Sequence, residues 1–117
     1  MLNKVLAFIR LSRPIFLLGG VVLYALGAMV ARYEGYPLNW SIYLVGQFFV
    51  TSLQLMTHYL NEYWDVESDR RNAARTSFSG GSGVLPEGVI ARETAFAAAM
   101  VCLALTSANA ITLVFQR

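Results

Sequence analysis

Three long apolar stretches, separated by two polar segments, dominate the pattern of hydrophobic and polar positions along this 117-residue chain. They cover approximately residues 14–32, 40–62 and 94–116. The hydrocarbon core of a membrane is about 30 Å thick, and a helix needs roughly 20 predominantly apolar residues to cross it. The pattern therefore predicts an all-α, multi-spanning membrane protein with three transmembrane helices, the last two joined by a loop over about residues 70–92.

Composition favours the same class of protein. Hydrophobic residues make up 56% of the chain and charged residues only 14%, whereas soluble domains average about 25% charged residues. This excludes an ordinary soluble domain, and the high hydrophobicity also excludes disorder. The net charge of +2 gives no reason to expect a nucleic-acid partner. The single cysteine, Cys102, has no partner for an internal disulfide and is expected to pack as a small apolar residue.

The basic residues predict how the chain is oriented in the membrane. Seven of them precede the first span or lie between the second and third: Lys4, Arg10, Arg13, Arg70, Arg71, Arg75 and Arg92. Only Arg32 lies between the first two spans. By the positive-inside rule, the N-terminus and the second loop are cytoplasmic, and the protein is expected in the cell (inner or plasma) membrane. A cleaved secretory signal is the alternative for the first span, but that span exceeds the 7–15 apolar residues of a signal core.

Polar residues of the second span fall on one face of a helix. Asn61, Asp65 and Asp69 are four residues apart, and Glu62 lies within about 100° of them on a helical wheel. The same face continues into the apolar part of the span through four further polar residues, Gln47, Thr51, Gln54 and His58. Polar groups are costly in lipid, so this face should point into a bundle or a water-filled cavity. Glu67 lies outside the stripe, which predicts a solvent or headgroup position for it.

Like charges on successive turns destabilise a helix, so a cation should compensate them. Carboxylates together with an asparagine carbonyl suit Mg²⁺, while the scarcity of cysteine and histidine argues against zinc. The alternative from the residues alone is a solvated helix end whose carboxylates pair with Arg70 and Arg71. For Gln47, Thr51, Gln54 and His58, the alternative is hydrogen bonding between helices.

Residues 61–69, with the sequence Asn-Glu-Tyr-Trp-Asp-Val-Glu-Ser-Asp, resemble the first aspartate-rich motif of the UbiA superfamily of membrane prenyltransferases. That motif is Asn-Asp-x-x-Asp-x-x-x-Asp, so Glu62 stands where aspartate is usual. Arg13-Pro14 is similar to the Arg-Pro that often opens the first helix in this family. The glycine-rich segment 75–88 is similar to the loop that follows the motif in quinone-forming members, and it looks more like the dihydroxynaphthoate (menaquinone) branch than the hydroxybenzoate branch.

The resemblance implies a function and a set of site residues. Family members use Mg²⁺ to transfer a polyprenyl group from a polyprenyl diphosphate to an aromatic acceptor. By this resemblance Asn61, Glu62, Asp65 and Asp69 would hold the metal, with Asp65 and Asp69 as the catalytic pair. Substrate contacts are expected from four residues: Arg13, Arg75, His58 and Gln54.

The resemblance covers the first part of the family's helical bundle only, since this sequence has no second aspartate-rich motif. The chain is therefore expected to need the remaining helices of a longer protein, and to be inactive alone. Two other functions remain open at this point. One is a small multi-span binding or assembly protein whose acidic stripe pairs with a basic partner, and the other is a fragment of a cation transporter.

Overall fold

Four helices and no strands make up the described part of the chain, residues 1–116 of a computed structural model. The helices are α1 (Leu2–Leu11), α2 (Pro14–Tyr33), α3 (Trp40–Arg71) and α4 (Arg92–Phe115). The all-α class expected from the sequence is confirmed. Helix α1 was not expected as a separate element.

Helix α3 is the longest element and carries the polar stripe from Gln47 to Asp69. The side chain of Asn39 caps its start by accepting a hydrogen bond from the Ile42 N–H at 3.2 Å. At 32 residues the helix is about 48 Å long, longer than the thickness of a hydrocarbon core. It runs past the predicted limit at residue 62, so Asp65 and Asp69 lie on its last turns.

Two helices, not three, are long and apolar enough to cross a membrane among residues 1–116. They are α2, whose most apolar window has a mean hydropathy of 2.1, and α4, with 1.9. By this measure two of the three predicted spans qualify, and α3 does not. The physical reason is the polar stripe of α3, which lowers the mean hydropathy of a helix that is otherwise long enough.

Helix α3 packs mainly against α4. The buried positions of α4 are small residues spaced three or four apart on one face: Ala95, Ala99, Cys102 and Thr106. Small side chains let two helices approach closely. The Thr106 hydroxyl donates a hydrogen bond to Ser52 Oγ at 3.0 Å across the interface. Cys102 is 7% exposed, which confirms its expected packing as a small apolar residue.

Helix α2 touches α3 at two glycines and leaves most of its surface uncovered. A Cβ atom at Gly20 would overlap the Gln54 side-chain amide, and one at Gly46 would overlap the Tyr24 hydroxyl. Because these two positions lack a side chain, there is room for a polar group of the facing helix at each of them. No residue of α2 is buried, and large apolar side chains such as Leu23 and Met29 are about 70% exposed.

The connection between α3 and α4 folds back onto the helices. Within it, Val84 and Leu85 are buried and join the apolar core beside α4. Helix α1 lies nearby, with Leu11 fully buried and the Phe8 ring centre 5.5 Å from that of Tyr59. The end of α1, the end of α3 and this connection thus meet at one end of the molecule.

Candidate functional site

A cavity of about 170 Å³ lies at the end of α3, where the sequence places its acidic residues. Four of its lining residues come from the polar stripe: Asn61, Glu62, Asp65 and Asp69. Arg13 closes it from the start of α2, and Gly80 and Gly81 close it from the connection. We call this space the carboxylate cavity. It brings together all four residues expected to hold a metal and one expected to contact substrate.

Glu62 is the most deeply buried acid of the site, with 2% of its surface exposed. One carboxylate oxygen accepts a hydrogen bond from the backbone N–H of Ser82 at 2.7 Å, and the other accepts from the Ser82 hydroxyl at 2.9 Å. The Arg13 Nε lies 3.9 Å from the same carboxylate. Both oxygens of Glu62 are therefore used to hold the connection against α3.

The glycines of the connection allow its backbone to lie directly over Asp69. Gly80 and Gly81 have φ angles of +82° and +71°, a region that other residues adopt only at a cost. A Cβ atom at Gly81 would overlap the Asp69 carboxylate. Glycine at this position thus satisfies both the backbone conformation and the close approach.

Arg75 fastens the other side of the same turn. Its Nε donates to the Gly80 carbonyl at 2.8 Å, and a terminal nitrogen donates to the Asp69 carbonyl at 3.0 Å. The guanidinium is therefore held within reach of the carboxylate cavity without forming an ion pair at its wall. Its position depends on the end of α3 as well as on the loop.

The surroundings of Asp69 make its carboxyl harder to ionise than a free one. Burial raises the pKa of this carboxyl above its ordinary value, and the nearby charge of Asp65 raises it further, while Arg75 and Arg13 act in the opposite direction. Asp69 is buried, whereas Asp65 on the preceding turn is exposed. A cation between them would relieve the repulsion between their charges.

A second and larger cavity, of about 780 Å³, adjoins the first and is lined by three arginines, Arg10, Arg13 and Arg75. We call it the arginine cavity. Arg13 and Gly81 line both cavities. Apolar residues from the first turn of α2, Ile15 and Phe16, form part of its wall. The carboxylates of α3 therefore line one cavity, and the three guanidinium groups line the cavity next to it.

Arg13, which lines both cavities, has an unusual backbone conformation. It is the non-glycine residue with a positive φ, +53°, among residues 1–116, and it stands directly before the proline that starts α2. This left-handed turn separates α1 from α2. The guanidinium carbon lies 4.9 Å from the centre of the Phe16 ring, where a cation is favourably placed.

His58 and Gln54, both expected to contact substrate, lie one to two turns deeper and line neither cavity. His58 Nδ1 is 2.8 Å from the Ser12 carbonyl oxygen, and Gln54 Nε2 donates to the Phe16 carbonyl at 3.2 Å. Gln47 donates to Thr51 within α3 at 3.0 Å. His58 and Gln54 thus join α3 to the start of α2, as the interhelical alternative describes.

The arginines at the end of α3 pair with the acid outside the stripe. Glu67 is exposed, and its carboxylate oxygens lie 3.3 Å from Arg70 and 3.4 Å from Arg71. The predicted solvent position of Glu67 is confirmed. Within residues 1–116, no ion pair joins Asp65 or Asp69 to these arginines, so the alternative of a self-compensated helix end accounts for Glu67 alone.

Two residues of the site escaped sequence analysis. Ser82 was seen only as part of a glycine-rich segment, and Arg10 only as a basic residue of the cytoplasmic side. Arg10 donates to the Ser82 carbonyl at 2.9 Å and lies 3.7 Å from the Glu87 carboxylate. Both contacts join residues more than seventy positions apart, and no local pattern signals such a pairing.

Cluster geometry alone does not identify a metal site. Among residues 1–116, no three histidine, cysteine, aspartate or glutamate side chains converge as metal ligands. The carboxylate cavity is lined by three carboxylates, one asparagine amide and one arginine, Arg13.

Comparison with known proteins adds nothing to this description, because no protein-family model, no curated protein and no solved structure matches the chain significantly.

Proposed function

We propose that this chain carries the first metal-binding motif of a UbiA-type prenyltransferase. Such an enzyme transfers a polyprenyl group from a polyprenyl diphosphate to an aromatic acceptor in quinone biosynthesis. The observation that carries the proposal is the junction of the carboxylate cavity with the arginine cavity at Arg13 and Gly81. A diphosphate bound together with a cation needs oxygen ligands for the cation and forked donors for the phosphate oxygens.

The proposal includes the placement of the chain in a membrane. Helices α2 and α4 have the length and hydropathy of membrane spans. We propose that α3 crosses beside them with its polar stripe turned inward. The hydrogen bonds from His58 Nδ1 and Gln54 Nε2 to the backbone around the start of α2 support this, because they give these two nitrogens the partners that lipid would not supply. The carboxylate cavity would then lie at the cytoplasmic surface.

The residues around the carboxylate cavity suit Mg²⁺. This ion usually takes one or two carboxylates from a protein, keeps several waters and shares substrate phosphates. Asp65 and Asp69 would be its carboxylate ligands, and Asn61 a neutral oxygen ligand. A volume of about 170 Å³ has room for the ion and part of its hydration shell. When bound, Mg²⁺ supplies charge neutralisation for a departing diphosphate.

Glu62 has a different part in this proposal from the one that the motif suggests. With both oxygens bonded to Ser82, it supports the site by holding the connection in place. The extra methylene of glutamate, compared with the usual aspartate, lengthens its reach from α3 toward that connection.

The arginines and the apolar wall have separate tasks. Arg13 and Arg75 would bind and orient the diphosphate oxygens, since each guanidinium offers several N–H donors. Ile15 and Phe16 line the same cavity at the first turn of α2. A prenyl chain leaving the diphosphate would therefore meet the exposed apolar surface of α2, which suits a lipid-like donor.

The test is binding of a radiolabelled polyprenyl diphosphate to the chain in lipid nanodiscs. We expect binding with Mg²⁺, loss with chelator, and at least about tenfold weaker binding for Asp65→Asn. Glu67→Gln is the matched control, because it removes one charge from the same helix end outside the cavity. Binding that is indifferent to Mg²⁺ and to Asp65→Asn would refute the proposal. Mg²⁺ binding unaffected by the diphosphate would instead favour the cation-transport alternative.

A further inference from the structure

Helix α1 turns apolar side chains away from the rest of the protein. Leu2, Leu6 and Ile9, at positions i, i+4 and i+7, are 71%, 52% and 50% exposed. On the opposite side of the helix Ala7 and Leu11 are 5% and 0% exposed. Packing through Ala7 and Leu11 fixes the rotation of α1 about its axis, so the exposed apolar stripe is a set feature of the fold.

The charges on α1 have one sign. Lys4 and Arg10 are its ionisable residues, and the helix contains no aspartate or glutamate. A helix with an apolar stripe on one side and basic residues on its other sides is typical of a segment lying in a membrane interface, where the basic residues meet anionic headgroups. If another helix of the same protein covered the apolar stripe, α1 would have no need of basic residues.

The position of α1 also matches a membrane interface. Its ten residues extend about 15 Å, half of what crossing the hydrocarbon core requires. Only Ser12 and Arg13 separate it from the apolar helix α2. Arg10 donates to the Ser82 carbonyl, which ties α1 to the level of the connection that covers the carboxylate cavity.

We propose that α1 lies in the headgroup layer of the cytoplasmic leaflet, with its apolar stripe in the acyl boundary and Lys4 near anionic lipid. This inference rests on the membrane placement proposed above and not on prenyl transfer. Through Arg10, the leaflet then holds the connection that closes the site. The partner is an anionic lipid surface.

The experiment measures the depth of single labelled positions in the full chain. In a Cys102→Ala background, Leu6→Cys carries an environment-sensitive fluorophore in nanodiscs that contain anionic lipid. Lipids with a spin label near the headgroup or deep in the acyl chain serve as quenchers. Leu23→Cys reports on the middle of α2, about 14 Å from Pro14 along the helix, and the exposed Ala73→Cys reports on water.

We expect the Leu6 label to lose fluorescence chiefly to the shallow quencher, the Leu23 label chiefly to the deep one, and the Ala73 label to neither. Lys4→Glu should reduce shallow quenching at position 6 in anionic nanodiscs and leave it little changed in zwitterionic ones.

Quenching at Leu23 without quenching at Leu6 would overturn the proposal for α1 and leave the membrane placement intact. Absence of quenching at both positions would overturn the membrane placement itself. Equal quenching of the Leu6 label in both lipid mixtures, unchanged by Lys4→Glu, would overturn the role of anionic lipid. If crosslinking showed that the chain self-associates and that self-association blocks labelling at position 6, the stripe would belong to a contact with a second copy of the chain. That result would likewise overturn the proposal.

Discussion

Gly81→Ala tests whether the backbone of the connection positions the Asp69 carboxylate. Alanine at this position carries two separate costs. The first is the positive φ of +71°, which costs an L residue roughly 1–2 kcal/mol. The second is steric, because the new Cβ atom overlaps the Asp69 carboxylate.

The same chain supplies a control that carries only the first cost. Gly88 has a φ of +72°, and a Cβ atom there meets no atom within 4 Å. Gly88→Ala should therefore lose about 1–2 kcal/mol of stability through backbone strain alone. The difference between the two variants measures the steric effect on Asp69.

The steric effect should appear in binding more than in stability. The overlapped atoms are the end of a side chain, which rotates away at small cost, so Gly81→Ala should unfold at nearly the same temperature as Gly88→Ala. Rotation, however, removes the carboxylate from the cavity. Disturbing the support of a metal ligand typically costs roughly 10- to 100-fold in metal affinity, and we expect Mg²⁺-dependent diphosphate binding to fall by that factor in Gly81→Ala.

Two measurements separate these effects. Thermal unfolding in nanodiscs compares the stabilities, and binding of a labelled polyprenyl diphosphate compares the sites. Hydrogen exchange of the Ser82 amide, which donates to Glu62, reports on the connection without any ligand and should increase more in Gly81→Ala than in Gly88→Ala. Equal binding and equal exchange in the two variants would refute the argument that Gly81 positions Asp69.

Three further predictions concern the helices and their charges. Glu62→Gln replaces one accepting oxygen with an NH₂ group, so Ser82 loses one of the two hydrogen bonds that it donates to this buried side chain. Stability should fall by about 1–3 kcal/mol, and the Ser82 amide should exchange faster. Ser82→Ala should remove most of the effect of Glu62→Gln in a double-mutant cycle. Gly20→Ala should destabilise the chain because the new Cβ atom overlaps the Gln54 side-chain amide of α3. A Cβ atom at Gly19 meets nothing within 4 Å, so Gly19→Ala should be neutral or stabilising by up to about 1 kcal/mol. Equal unfolding temperatures of the two variants would contradict this prediction. The raised pKa of Asp69 means that the folded state binds its proton more tightly than the unfolded state does, so stability should rise as the pH falls through the folded pKa. Burial also raises the pKa of Glu62, so this rise should be smaller, not absent, in Asp69→Asn when unfolding temperature is measured against pH.

Helical periodicity was sufficient to place the acidic residues on one side of α3. Asn61, Glu62, Asp65 and Asp69 line one cavity because a continuous helix from Trp40 to Arg71 repeats about every 3.6 residues. The same periodicity put Glu67 outside that face. Local spacing therefore determined which side chains meet along a single helix.

Hydropathy gave the number of long helices. It did not give their boundaries, and it did not show that α3 differs from the other two in its polar side. It missed α1, whose ten residues are stabilised as a helix by packing of Ala7 and Leu11 rather than by length. It also predicted α3 as a membrane span like α2 and α4, although the polar stripe makes one side of α3 much less apolar than theirs.

The sequence by itself determined that the chain is helical, largely apolar, and provided with one acidic face and several arginines. Only the tertiary structure decided what those groups meet. Glu62 holds Ser82, Arg13 lines both cavities, and Gly81 lies over Asp69. These pairings join distant parts of the chain through a left-handed turn at Arg13 and a connection folded onto α3. Helical spacing has a fixed period, whereas contacts through turns depend on the packing of the whole molecule.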